Sequence, residues 1–188
     1  MRGAAMVSAS HPLAVRLRAH SARAHARLGQ REPCQALFAE ARQLHERLPA
    51  RAPCRFTKDT GITASYAMTA YPASAYIWLR DFETARTHGE AALAAIESAP
   101  PGSREQRRSF AQLILARALV GLGTPDDAVA LGSQALTSAR VVTSGMMAYT
   151  RDLDEALVSQ YPKLACVREF HEQYRQIAQG STTKGGKS

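Results

Sequence analysis

Arg16, Arg23 and Arg27 are separated by seven and then four residues, an interval that sets three guanidinium groups on one stripe of a helix. Arginine grips carboxylate or phosphate through two parallel N–H donors, so the stripe has two readings: a solvated basic face, or a seat for an acidic group. Other reactive side chains give little to build a reaction on. His20 and His25 are five apart, which misses the one-face spacing of a metal-binding pair, and His11, His45, His88 and His171 are scattered. These histidines are expected to be exposed or to cap helices, with no metal site. Ser103, Ser109 and Ser133 have no Gly-x-Ser-x-Gly around them. Gly121-Leu-Gly-Thr124 is not followed by Gly-Lys-Ser/Thr at phosphate-loop spacing, and Gly186-Lys-Ser188 has no helix after it. Cys34, Cys54 and Cys166 form no Cys-x-x-Cys pair, and their odd number argues against a disulfide framework. Asp152, Asp154 and Glu155 are expected to form a solvated acidic run. The sequence therefore points away from an enzyme and from a cofactor.

Composition bounds the rest. A chain of 188 residues is about one domain's worth and can bury a sizeable core. With 45% hydrophobic but only 6% aromatic residues, that core has to be built from Ala and Leu. No apolar run reaches the roughly 18 residues that would span a bilayer, and the opening Met1-Arg-Gly-Ala-Ala-Met-Val-Ser8 lacks the apolar stretch of a secretory signal, so a cytoplasmic location is expected. Net charge is +8 and local: residues 1–60 carry 11 Lys+Arg against 4 Asp+Glu, and residues 61–188 carry 13 against 12.

The elements that position the arginines are helices. Apolar residues recur every three or four positions, and no alternating β-branched run is long enough for a strand. The pattern predicts antiparallel pairs at 13–29/32–48, 60–79/82–98, 104–122/125–141 and 144–160/163–178. Residues 1–10 read as a flexible leader, 11–178 as the helical domain and 179–188 as a disordered tail. Tyr71-Pro72 predicts a kink or break in the third helix. At 123–127, Gly123 stops one helix, Thr124 caps the next and Pro125 fits its first turn.

Internal repetition organises these helices. Arg27-Leu-Gly-Gln-Arg-Glu-Pro-Cys34, Trp78-Leu-Arg-Asp-Phe-Glu-Thr-Ala85 and Gly121-Leu-Gly-Thr-Pro-Asp-Asp-Ala128 align as Leu, then Gly or Arg, then a polar turn, with a small residue five positions on. The same register aligns Ala22, Ala73 and Ala116 twelve residues before that small residue. Phe38, Gly89 and Gly132 align four after it, and Ala41, Ala92 and Ala135 seven after it. Cys34, Ala85 and Ala128 complete a set of small positions.

This pattern resembles the tetratricopeptide repeat, a unit of about 34 residues made of two antiparallel helices. The likeness covers roughly residues 13–141 as three repeats, with 144–178 as a divergent fourth pair. Turn spacings of 51 and 43 residues exceed the family unit, which places insertions around 49–59 and 99–103. Tyr76-Ile-Trp-Leu-Arg-Asp81, Ala26-Arg-Leu-Gly29 and Tyr161-Pro-Lys-Leu-Ala-Cys-Val-Arg-Glu-Phe170 are similar to the repeat region of actinobacterial regulators that carry an N-terminal helix-turn-helix domain. No DNA-reading domain is visible in this sequence.

The resemblance implies an all-α, right-handed solenoid of about eight helices, in which the small positions stand where backbones approach closely. It also implies that the first helix of each pair lines a concave groove, presenting Arg16, Arg23 and Arg27, then Ser74, Ile77 and Trp78, then Phe110, Leu113 and Arg117. Trp78, the only tryptophan, is either core or a contact residue. The expected function is capture of a protein or peptide, an acidic one fitting the stripe, in a transcription-regulatory or signalling setting. The alternative is a nucleic-acid-associated protein using the basic N-terminal third. The arginines sit among alanines without the stacking rings such binders use, which favours protein. Leu13, Val15, Leu17, Ala24 and Leu28 are expected to leave an apolar strip uncovered, so self-association through 11–48 is a further expectation.

Overall fold

The computed structural model describes residues 11–48, 62–97, 104–139 and 142–184. Among them are eight α-helices and no strand: α1 (Pro12–Arg27), α2 (Arg31–Glu46), α3 (Ile62–Trp78), α4 (Phe82–Glu97), α5 (Arg104–Leu122), α6 (Pro125–Ser138), α7 (Ser144–Gln160) and α8 (Ala165–Lys184). The leader 1–10, the loop 49–59 with Cys54, the insertion around 99–103 and residues 185–188 lie outside the described residues. α8 runs six residues past Ala178, so most of the expected tail is helical. Extending a formed helix costs far less than starting one.

Helix pairs turn at one repeated device. Gly29, Arg80 and Gly123 adopt the left-handed backbone region, with φ of 72°, 58° and 84°. In each case the next amide reaches back five residues: Gln30 N–H to the His25 carbonyl at 2.9 Å, Asp81 to Tyr76 at 2.9 Å, and Thr124 to Leu119 at 3.1 Å. That pairing satisfies carbonyls a helix end would otherwise leave bare. The small residue of each turn then donates to the polar residue four before it: Cys34 to Gln30, Ala85 to Asp81 and Ala128 to Thr124. The fourth junction closes differently, with the amide of Tyr161 on the Leu157 carbonyl and that of Leu164 on the Tyr161 carbonyl.

Thr124 holds the position before α6, but its hydroxyl does not cap that helix. It bonds the Leu119 carbonyl at 3.3 Å and so finishes α5. Pro72 is buried inside an uninterrupted α3, so the expected break is absent. Helices α1, α2 and α4 all pack on α3, and that cover holds the helix through the hydrogen bond proline cannot make. Ser74 donates from its hydroxyl to the Tyr71 carbonyl at 2.9 Å beside it.

The chain divides into two compact units, Met1–Ala99 and Pro100–Ser188. In the first, Ala19, Ala22, Ala26, Cys34, Phe38, Ala67 and Ala75 form the main core, and Val15 with Ala41 forms a smaller one. Ala26 meeting Cys34 near the turn and Val15 meeting Ala41 far from it establish that α1 and α2 are antiparallel. α3 has no charged side chain anywhere along its length. In the second, Leu113, Ala116, Val120, Ala128, Ala135, Met146, Leu153, Leu157, Val167 and Phe170 pack together. There α6 meets α7 and α8 at Gly132, where a Cβ would lie 2.8 Å from Leu153 Cδ2 and 2.9 Å from Phe170 Cε2. All nine aligned small residues, Ala22, Cys34, Ala41, Ala73, Ala85, Ala92, Ala116, Ala128 and Ala135, have no exposed surface.

Candidate functional site

The arginine stripe of α1 lies along α3. Helix α1 has no acidic residue and α3 no charged one, so nothing on either helix neutralises the guanidiniums. The fourth arginine of α1, Arg18, lies off the stripe and pairs with Glu40 on α2 at 3.2 Å. Arg23 Cζ sits 4.9 Å from the centre of the Tyr71 ring and 5.1 Å from that of Trp78, and Arg27 Cζ sits 4.5 Å from Trp78. His20, one turn from each of Arg16 and Arg23, places its ring 4.6 Å from Tyr71, and Tyr66 meets Tyr71 edge-on at 6.2 Å. The result is a ladder of rings and cations across two helices.

A guanidinium over a ring can still present N–H donors at its edge to a carboxylate. Arg16 is half-buried, and its Nε has no hydrogen-bond partner among the described residues. Although His20 keeps exposed surface, the protein packed around it, then Arg23 and Arg16, push its pKa below the ordinary histidine value. Trp78 is half-buried and packed on the Ala19–Cys34 cluster, with the Arg23 and Arg27 guanidiniums over its ring.

The remaining groove candidates are engaged within their own units. Ser74, Ile77 and Leu113 are buried, because the apolar stripe that makes a first helix pack also consumes those positions. Phe110 is half-buried against the edge of Tyr149, ring centres 5.6 Å apart. Arg117 is tied to Asp152 across α5 and α7 at 3.5 Å. Within the first unit the face consists of Arg16, Arg23, Arg27 and Trp78, with His20 and Tyr71 added. The seven-residue interval from Tyr71 to Trp78, matching that from Arg16 to Arg23, was the available signal.

Two expectations made from the sequence need correcting. The acidic run of α7 is solvated only in part: Asp152 and Glu155 are exposed, Asp152 holding Arg117, whereas Asp154 is buried with His171 Nδ1 2.9 Å from its carboxylate. Rings do accompany the arginines, but from α3 rather than from α1. Of the expected apolar strip, Val15 is buried, Leu13 and Leu17 are half-buried, and Ala24 and Leu28 are exposed, Leu28 at 72%.

Among the other histidines, His11 caps α1, its Nδ1 accepting from the Leu13 amide at 3.1 Å. His88 stacks on Tyr76 with planes 4° apart. Burial first of all pushes the Cys34 and Cys166 thiols up, with the Asp126 carboxylate adding to the effect at Cys166, so both stay protonated and weakly nucleophilic. No three His, Cys, Asp or Glu side chains gather into a metal-ligating group among the described residues, and no helix there is long and apolar enough to cross a membrane. The chain matches no known family profile, no curated protein and no solved structure.

Proposed function

We propose that this chain is a non-catalytic helical-repeat module of tetratricopeptide type, whose α1–α3 face holds an acidic segment of a protein partner. Support for the repeat comes from three turns with one hydrogen-bond pattern and from fully buried small residues at one register in each. The likeness to the repeat regions of actinobacterial regulators suggests a transcription-regulatory or signalling setting. The observation that carries the binding reading is the ladder itself: three arginines in one stripe, two of them over the Trp78 ring, on helices without a carboxylate.

The same ladder bears on nucleic acid as an alternative partner, because non-specific single-strand binding uses open aromatic faces on which bases stack. Here Trp78 already carries Arg23 and Arg27, so its ring is a support for cations rather than a platform for bases. Trp78 is also the only tryptophan, which makes its fluorescence a reporter of the face. Titration with a twelve-residue aspartate-rich peptide should change that emission saturably, and Arg27→Gln should weaken binding about tenfold, the usual size of a lost charged hydrogen bond. Tighter binding of a single-stranded oligonucleotide of equal charge, at the same salt, would reverse the assignment.

A further inference from the structure

We propose that His171 is a phosphoryl-acceptor site: its Nε2 takes a phosphoryl group from a phosphoramidate-type donor, while buried Asp154 holds the other ring nitrogen. The site uses α7 and α8 of the second unit and no residue of the arginine ladder.

Burying a carboxylate is costly unless it is paired. Asp154 keeps 6% of its side-chain surface, and the His171 ring meets it with Nδ1 3.0 Å from Oδ1 and 2.9 Å from Oδ2. A carboxylate only accepts, so Nδ1 carries the proton and the neutral ring keeps its lone pair on Nε2. The His171 side chain is 41% exposed. With Nδ1 turned to a buried acid, the exposed edge is the one that bears Nε2. Arg168 and Arg175 stand three residues before His171 and four after it on α8, each one turn away and exposed. A phosphoryl group on Nε2 gives both of them oxygens to bind. The acids nearest in sequence are engaged elsewhere: Glu172 accepts from Gln176 at 3.3 Å, and Glu155 on α7 lies 3.8 Å from Arg151.

In the transfer the Nε2 lone pair attacks phosphorus and a new N–P bond forms. The donor's own P–N bond breaks, and its protonated nitrogen leaves as a neutral amine with the electron pair. The imidazole ring becomes positive, and the carboxylate on its Nδ1–H stabilises that charge as it develops.

His20 is a control within the same chain. It too has arginines three and four residues away and is exposed, but α1 and α3 offer it no carboxylate. The test incubates the full chain with potassium phosphoramidate at neutral pH and follows each histidine by peptide mass spectrometry without acid. His171 should be phosphorylated about tenfold faster than His20, the effect of one charge-assisted hydrogen bond. Phosphorus NMR should place the group on Nε2. Asp154→Asn should remove the advantage, with circular dichroism checking its fold; the comparison within the unaltered chain needs no variant. Equal rates at His171 and His20, a rate unchanged in Asp154→Asn, attachment at Nδ1, or no transfer to His171 would each overturn the proposal and leave the pair as a contact that only joins α7 to α8.

Discussion

Arg80 sits in a conformation that glycine takes at the two equivalent turns. Its φ of 58° forces a Cβ against the backbone, a cost of about 1–2 kcal/mol. Its guanidinium lies 5.9 Å from the Phe82 ring, a distant contact that offsets little. Arg80→Gly should therefore stabilise the protein by about 0.5–1 kcal/mol, visible as a raised Tm and denaturation midpoint. An unchanged or lowered midpoint would mean that the arginine side chain compensates for its backbone. Asp81, next in the chain, is where this turn is fastened to the previous pair. Burial alone would raise its pKa, but hydrogen bonds from Arg31 and Thr84 hold it below the usual carboxylate range. Arg31 also donates to the Leu79 carbonyl, so one guanidinium at the start of α2 grips both sides of the turn between α3 and α4.

At the scale of elements, what the sequence made legible was whatever one turn and its two helices decide locally. Left-handed turns need Gly or a tolerant substitute, and close helix approach needs Ala or Cys, so both left their mark at fixed register. What was not legible depends on how separate helices are set against one another. Trp78 meets Arg27 across 51 residues of chain, and Asp154 meets His171 between α7 and α8; no spacing within one helix announces either. Pro72 was misjudged for a related reason, since helices packed around α3 outweigh a lost hydrogen bond within it. Gly132 tests the packing argument directly. In a helix, Gly→Ala alone is favourable by about 0.5–1 kcal/mol. Here the new methyl would press on Leu153 and Phe170, both buried, and overpacking of this kind costs about 1–3 kcal/mol. Gly132→Ala should therefore lower stability by about 1 kcal/mol in chemical denaturation. A stabilised variant would show that α6 can move away from α7 and α8.

For the molecule as a whole, uneven charge matters more than net charge. The excess of positive charge is carried by residues 1–60, whereas α3, which α1 and α2 help to cover, carries none. A chain lacking residues 1–48 would expose that uncharged helix to water. It should partition into the insoluble fraction on expression, whereas the full chain stays soluble; equal solubility would mean that α1 and α2 are not the cover α3 needs. The neutrality of α3 also has a consequence in time. A ribosome adds about 5–20 residues per second, while helices form in about a microsecond, so the hairpin of α1 and α2 has a few seconds outside the ribosome before the last residue of α3 emerges. The sticky segment is thus born beside a finished, arginine-bearing surface, and synthesis from the N-terminus does for this protein what a chaperone would have to do if the order of its helices were reversed.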